Sequence, residues 1–102
     1  MIKFEWDVNK NIQNIEKHNI DFAEASTVFL DDEALLMFDD AHSSQEERFI
    51  ILGMSLKPRL LVVCHCYLKQ DNNLEIIRII SARKATKNEA KQYEERNHEK
   101  GI

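Results

Sequence analysis

The sequence predicts an α+β fold, an antiparallel sheet of about four to five strands with helices packed on one face. Three observations lead there. One strand pattern and two helix patterns open the chain. Four β-prone apolar segments then follow, separated by polar stretches and short turns, as in a meander. A capped helix closes it. At 102 residues the chain fits one domain, 1–102, able to bury one modest core.

Each element has its own signal. "IKFEW" (Ile2–Trp6) alternates apolar and polar residues and reads as a short strand. Asp7 is an N-cap, and Val8, Ile12 and Ile15 recur at helical spacing over Val8–His18. Asn19 is suited to end that helix in the left-handed conformation. Asp21 and Glu24 resemble a capping box for a second short helix, with Phe22, Ala25, Val28 and Phe29 on its buried side. "ALLMF" (Ala34–Phe38) is a compact apolar strand, and "DDAHSSQE" (Asp39–Glu46) a polar loop. "ERFIILGMS" and "RLLVVCHCYLK" are joined by "LKPR", which predicts a hairpin. "QDNN" turns the chain into a last strand, Leu74–Arg83. Thr86 and Glu89 form a capping box for a helix over about 87–97, with Ala90 and Tyr93 inward.

Composition removes several function classes. No apolar run approaches the roughly 20 residues of a membrane span, and "MIKFEWD" lacks the apolar core of a signal peptide. A cytoplasmic protein with no membrane partner is expected. Only two glycines are present, and there is no phosphate-cradling loop. Net charge is −4, but residues 1–56 balance at −8 and residues 57–102 at +4. Separate acidic and basic surfaces are therefore expected. Cys64 and Cys66 lie two apart on a strand, where an unstrained disulfide is disfavoured. They read as reduced thiols. A metal site there is discounted, because His65 points to the other face.

Arg78 and Arg83 place permanent cations in the most β-prone segment. If the "QDNN" hairpin is centred between Asp71 and Asn72, His65 lies opposite Arg78, about 5 Å away at Cβ. Odd spacing puts Arg83 on the other face from Arg78 unless a bulge intervenes. An exposed ion pair is the plain alternative for Arg78, and a helix-core aromatic for Tyr93.

Three segments, "FEWDVNKNIQNIEKHNIDFAEASTVF", "ERFIILGMS" and "IRIISARKATKNEAKQY", resemble in content and order the BrnT family of small bacterial toxins. The resemblance implies a RelE-like fold and a ribonuclease toxin of a type II toxin–antitoxin module, one that inhibits translation and growth. It implies RNA cleavage with no metal and no cofactor. It also implies a BrnA-type antitoxin with a ribbon-helix-helix DNA-binding region, so that DNA is reached only through the antitoxin. Cleavage by 2′-hydroxyl attack needs a base, an acid and cations on the phosphorane. On that reading His65, Arg78, Arg83 and Tyr93 are the catalytic candidates. Lys57, Arg59, Lys84, Lys87 and Lys91 are candidates for RNA contacts. The alternative is a catalytically inactive binding module of the same fold that only engages its antitoxin.

Overall fold

The computed structural model describes residues 1–100, with side chains through Asn97. Five strands form one sheet: β1 (Ile2–Glu5), β2 (Leu35–Phe38), β3 (Phe49–Met54), β4 (Leu60–Gln70) and β5 (Glu75–Lys84). The helices are α1 (Val8–His18), α2 (Phe22–Thr27) and α3 (Lys87–Lys100), with short 3-10 turns at Val28–Leu30 and Asp40–His42. Strand order is β1-β5-β4-β3-β2. The last four strands form the expected antiparallel meander. The pairing of β1 with β5 is parallel, so the sheet is mixed but mostly antiparallel. The two parallel strands are joined by everything from α1 through β4, far longer than the minimum connection that a parallel pairing requires.

The caps form as the sequence implies. Asp7 accepts from the backbone amides of Asn9 and Lys10, and Asn19 ends α1 at φ 57°. Asp21 caps α2 through Glu24 N–H. Thr86 and Glu89 exchange side-chain and backbone bonds at the start of α3.

One face of the sheet carries the core. Ile20, Phe22, Ala25 and Val28 pack on Ile51, Leu61, Val63, Ile79 and Ala82. Gly53 lies on this face because a Cβ there would sit 2.9 Å from both Val28 Cγ1 and Ala34 Cβ, closer than packed carbon atoms approach.

Helix α1 departs from its apolar pattern. Val8, Ile12 and Ile15 are exposed, at 67%, 48% and 41%. The buried residue of this helix is Asn14. Its side-chain amide donates to the carbonyls of Ile20 and Ala82, and its Oδ1 accepts from Ala82 N–H. The register of β1 against β5 ends at Glu5 opposite Arg78. Beyond that point Asn14 satisfies β5 backbone groups that a neighbouring strand would otherwise pair.

Candidate functional site

The position of the site follows from irregular pairing between β4 and β5. Cys64 pairs with Ser81 but His65 pairs with Ile79, so Ile80 is an extra residue in β5. Such a bulge changes which face the following side chains occupy. Arg78 stands opposite Cys66 and Arg83 opposite Val62. Cys66 and Val62 are four residues apart on one strand and share a face. The bulge therefore brings Arg78 and Arg83 to the same face, away from the core.

The register also corrects an expectation. His65 does not lie opposite Arg78. The hairpin is centred between Asn72 and Asn73, with Gln70 opposite Glu75, two residues from the expected pairing. The irregularity between Tyr67 and Lys69 takes back one of them and leaves Arg78 opposite Cys66, and a one-residue slip turns the side chain to the other face. His65 is fully buried. Its ring packs edge-on against Phe29 and Tyr67, with centroids 4.8 and 5.3 Å away. Nδ1 lies 3.1 Å from the Val63 carbonyl, and Nε2 has no hydrogen-bond partner. Burial lowers its pKa, so the neutral ring is favoured. The imidazole sits among aromatic side chains where no phosphate can reach it.

The face opposite the core holds a groove of about 200 Å³ lined by Asp39, His42, Arg48, Ile50, Val62, Cys64, Ile80, Ser81 and Arg83. Three of its polar residues come from the polar loop between β2 and β3. Asp39 N–H donates to the Arg48 carbonyl at 2.8 Å, closing the loop where the strands stop. Ser43 Oγ lies between them, donating to the Asp39 carbonyl and accepting from Arg48 N–H. The 3-10 turn at 40–42 then folds His42 back, so that Nδ1 stands 2.9 Å from Asp39 Oδ2. Held through Nδ1, the imidazole presents Nε2 outward, the usual way an acid orients a histidine. Arg48 Nε lies 3.5 Å from Glu46 but is buried without a hydrogen bond.

Arg83 enters from β5. Its two terminal nitrogens donate to Glu89 at 2.8 and 3.0 Å, a bidentate pair. The Arg83 guanidinium, with help from Thr86, holds the Glu89 carboxyl at about 2. The N-terminus of α3 is thus fastened to the groove. Arg78 flanks it across Ile80, which also lines a neighbouring depression with Glu5, Lys10 and Arg78. Arg78 donates to Glu5 at 2.9 Å, and both side chains are about half exposed. Burial pushes up the pKa of the Cys64 thiol on the groove floor, and Asp39 adds to the effect. Both cysteines are free thiols.

The remaining candidates lie elsewhere. Tyr93 donates to Asp31 at 2.6 Å and is not among the groove residues. Burial and then the Asp31 carboxylate push its hydroxyl up to about 12. Arg59 is committed to Glu24, which it grips through Nε and Nη2. Its Nη2 also donates to the Asn19 carbonyl. Glu24 is buried and accepts from Ser55 Oγ as well. The Arg59 guanidinium lowers the Glu24 pKa against the opposing effect of burial. Lys57, Lys84, Lys87 and Lys91 are exposed. Among the described residues no group of three or more His, Cys, Asp or Glu side chains is arranged to hold a metal ion.

A family model for the ribonuclease toxin BrnT of type II toxin–antitoxin systems matches residues 6–89. The chain belongs to the BrnT family. Its fold is also similar to the 1.1 Å crystal structure of the Brucella abortus ribonuclease toxin BrnT, with a TM-score of 0.60 and 25% identity over 85% of this chain and 100% of that one. No curated protein matches the chain. Membership in a type II family implies an antitoxin partner. The groove residues Asp39, His42 and Arg48 all fall inside the matched span. Sequence reasoning placed Asp39 and His42 in a polar loop and Arg48 in a family segment, and made none of them a site candidate. The signals present were the i, i+3 spacing of Asp39 and His42, and the place of Arg48 in "ERFIILGMS".

Proposed function

We propose that this BrnT-family chain cleaves RNA in the groove, by attack of a ribose 2′-hydroxyl on the adjacent phosphorus, without a metal ion. The observation that carries the reading is the meeting of Arg48, Arg83 and an Asp39-held His42 in one open groove. His42 Nε2 takes the proton from the 2′-oxygen as that oxygen bonds to phosphorus. The bond from phosphorus to the 5′-oxygen breaks, and the departing oxygen takes a proton from solvent, which reaches the open groove. A 2′,3′-cyclic phosphate and a 5′-hydroxyl result. Arg48 and Arg83 stabilise the added charge on the phosphorane, for which a planar guanidinium fork is well shaped. Arg78 meets a flanking phosphate after releasing Glu5. Lys84, Lys87 and Lys91 continue the basic surface along β5 and α3, and Lys57 is a more distant contact. Growth arrest through loss of translated RNA in the cytoplasm follows. So does neutralisation by a BrnA-type antitoxin whose ribbon-helix-helix region binds DNA.

A second reading, an inactive module that only engages its antitoxin, draws support from the engagement of Arg83 by Glu89 and of Arg78 by Glu5. Incubating partner-free protein with labelled RNA decides between them. The proposal expects cleavage that fails in Arg48→Ala and His42→Ala at unchanged melting temperature. Intact RNA with folded parent protein supports the binding module instead.

A further inference from the structure

Strands β1 and β2 are the two edges of the sheet, and their chemistry differs. Strand β1 reads IKFE, with Lys3 and Glu5 to discourage pairing by another chain. Strand β2 reads LLMF and carries no charge. Leu36, Met37 and Phe38 are exposed at 54%, 39% and 50%. An uncharged apolar edge is a template for strand addition, and folded proteins normally blunt or cover it. Its flanks are acidic. Asp31, Asp32 and Glu33 precede it, Asp39 and Asp40 follow it, and no Lys or Arg occurs between Lys17 and Arg48.

We infer that the β2 edge receives an extended segment of the antitoxin, apolar at alternate positions and flanked by Lys or Arg, which adds a sixth strand to the sheet. The charge pattern selects this occupant over a second copy of the chain. Whether two β2 strands met parallel or antiparallel, acidic flanks would lie beside acidic flanks, a destabilising arrangement. A basic partner meets attraction at both ends, from the exposed Asp32 before the strand and the exposed Asp40 after it. Main-chain bonds along the edge supply affinity, and the exposed apolar side chains supply register. The strand runs directly into Asp39, which begins the loop that holds His42 and Arg48. A segment docked on β2 therefore ends beside the groove, where it can block RNA. This inference rests on the antitoxin partner implied by the family, and concerns where that partner binds.

The test is backbone hydrogen exchange of the chain alone and in complex with its antitoxin, together with Leu36→Lys. The expected result is slowing of amide exchange within 35–38 by about tenfold or more in the complex. Association should weaken about tenfold or more in Leu36→Lys, with no change in melting temperature or RNA cleavage. A complex that forms while β2 exchange and Leu36→Lys affinity stay unchanged overturns the inference and leaves the family reading intact. Protection of β2 that rises with concentration of the isolated chain assigns the edge to self-association and also overturns it. Failure of the two proteins to associate removes the partner reading, and this inference falls with it.

Discussion

Replacing Arg83 by alanine should separate activity from stability. Two costs are involved. The first is loss of the pair with Glu89, whose carboxyl is held at about 2 against an ordinary value of 4.5. Taken whole, that gap corresponds to about 3 kcal/mol. Thr86 supplies part of it, and the Arg83 side chain is 42% exposed, so after solvent screening the Arg83 share is about 1 kcal/mol. In a domain of this size the melting temperature falls by about 4–8 °C. The second cost is loss of a cation from the groove, which by analogy with an oxyanion-hole donor lowers the rate by about 10²–10³-fold. The sign of the pH dependence follows from the depressed carboxyl. Between about 2 and 4.5 the unfolded chain binds more protons than the folded one. The contribution is therefore fully present above that window and lost as pH falls through it. Arg83→Ala should show a smaller loss of stability over this range than the parent. Glu89→Gln is the control, since it breaks the same pair but keeps the guanidinium. The assays are RNA cleavage by purified protein and thermal melts from acid to neutral pH. Folded Arg83→Ala protein that cleaves RNA at the parent rate would refute the reasoning.

Three further outcomes are expected. Arg78→Ala should lose only about 0–1 kcal/mol of stability, because its pair with Glu5 is exposed, and should lower RNA cleavage more than that cost explains; thermal melts beside cleavage rates check this. Arg59→Ala should destabilise more than Arg78→Ala, because it leaves the buried Glu24 carboxylate without its cation; denaturant unfolding midpoints of the two variants read the difference directly. His65→Phe should keep full RNA cleavage and change stability by less than about 1.5 kcal/mol, since an aromatic ring replaces another among Phe29, Phe49 and Tyr67; loss of cleavage in a folded variant would return His65 to the chemistry.

The elements were legible because local signals agreed with the final structure. Asp7 and Asn19 bounded α1, and Thr86 with Glu89 started α3. The four meander strands announced themselves by apolar runs broken at polar turns. The parallel docking of β1 was not legible, because four residues carry no record of which strand they join. The solvent-facing stripe of α1 was hidden for a related reason. Helical spacing reveals an apolar face but not where it points, and here Asn14 takes the inner position by pairing with Ala82. The site was read in part. Arg83 was singled out, and a bulge was named as the condition for sharing a face with Arg78. His65 was misplaced because a two-strand register rests on every residue between the turn and the pair. Asp39, His42 and Arg48 were not joined into a site because a loop has no periodicity from which to infer convergence.

The most direct measurement is the end chemistry of RNA treated with partner-free protein in the presence of EDTA, for the parent and for Arg48→Ala. The account predicts fragments ending in 2′,3′-cyclic phosphate and starting with 5′-hydroxyl from the parent, and intact RNA from folded Arg48→Ala. Fragments bearing 5′-phosphate, cleavage abolished by EDTA, or undiminished cleavage by Arg48→Ala would contradict it.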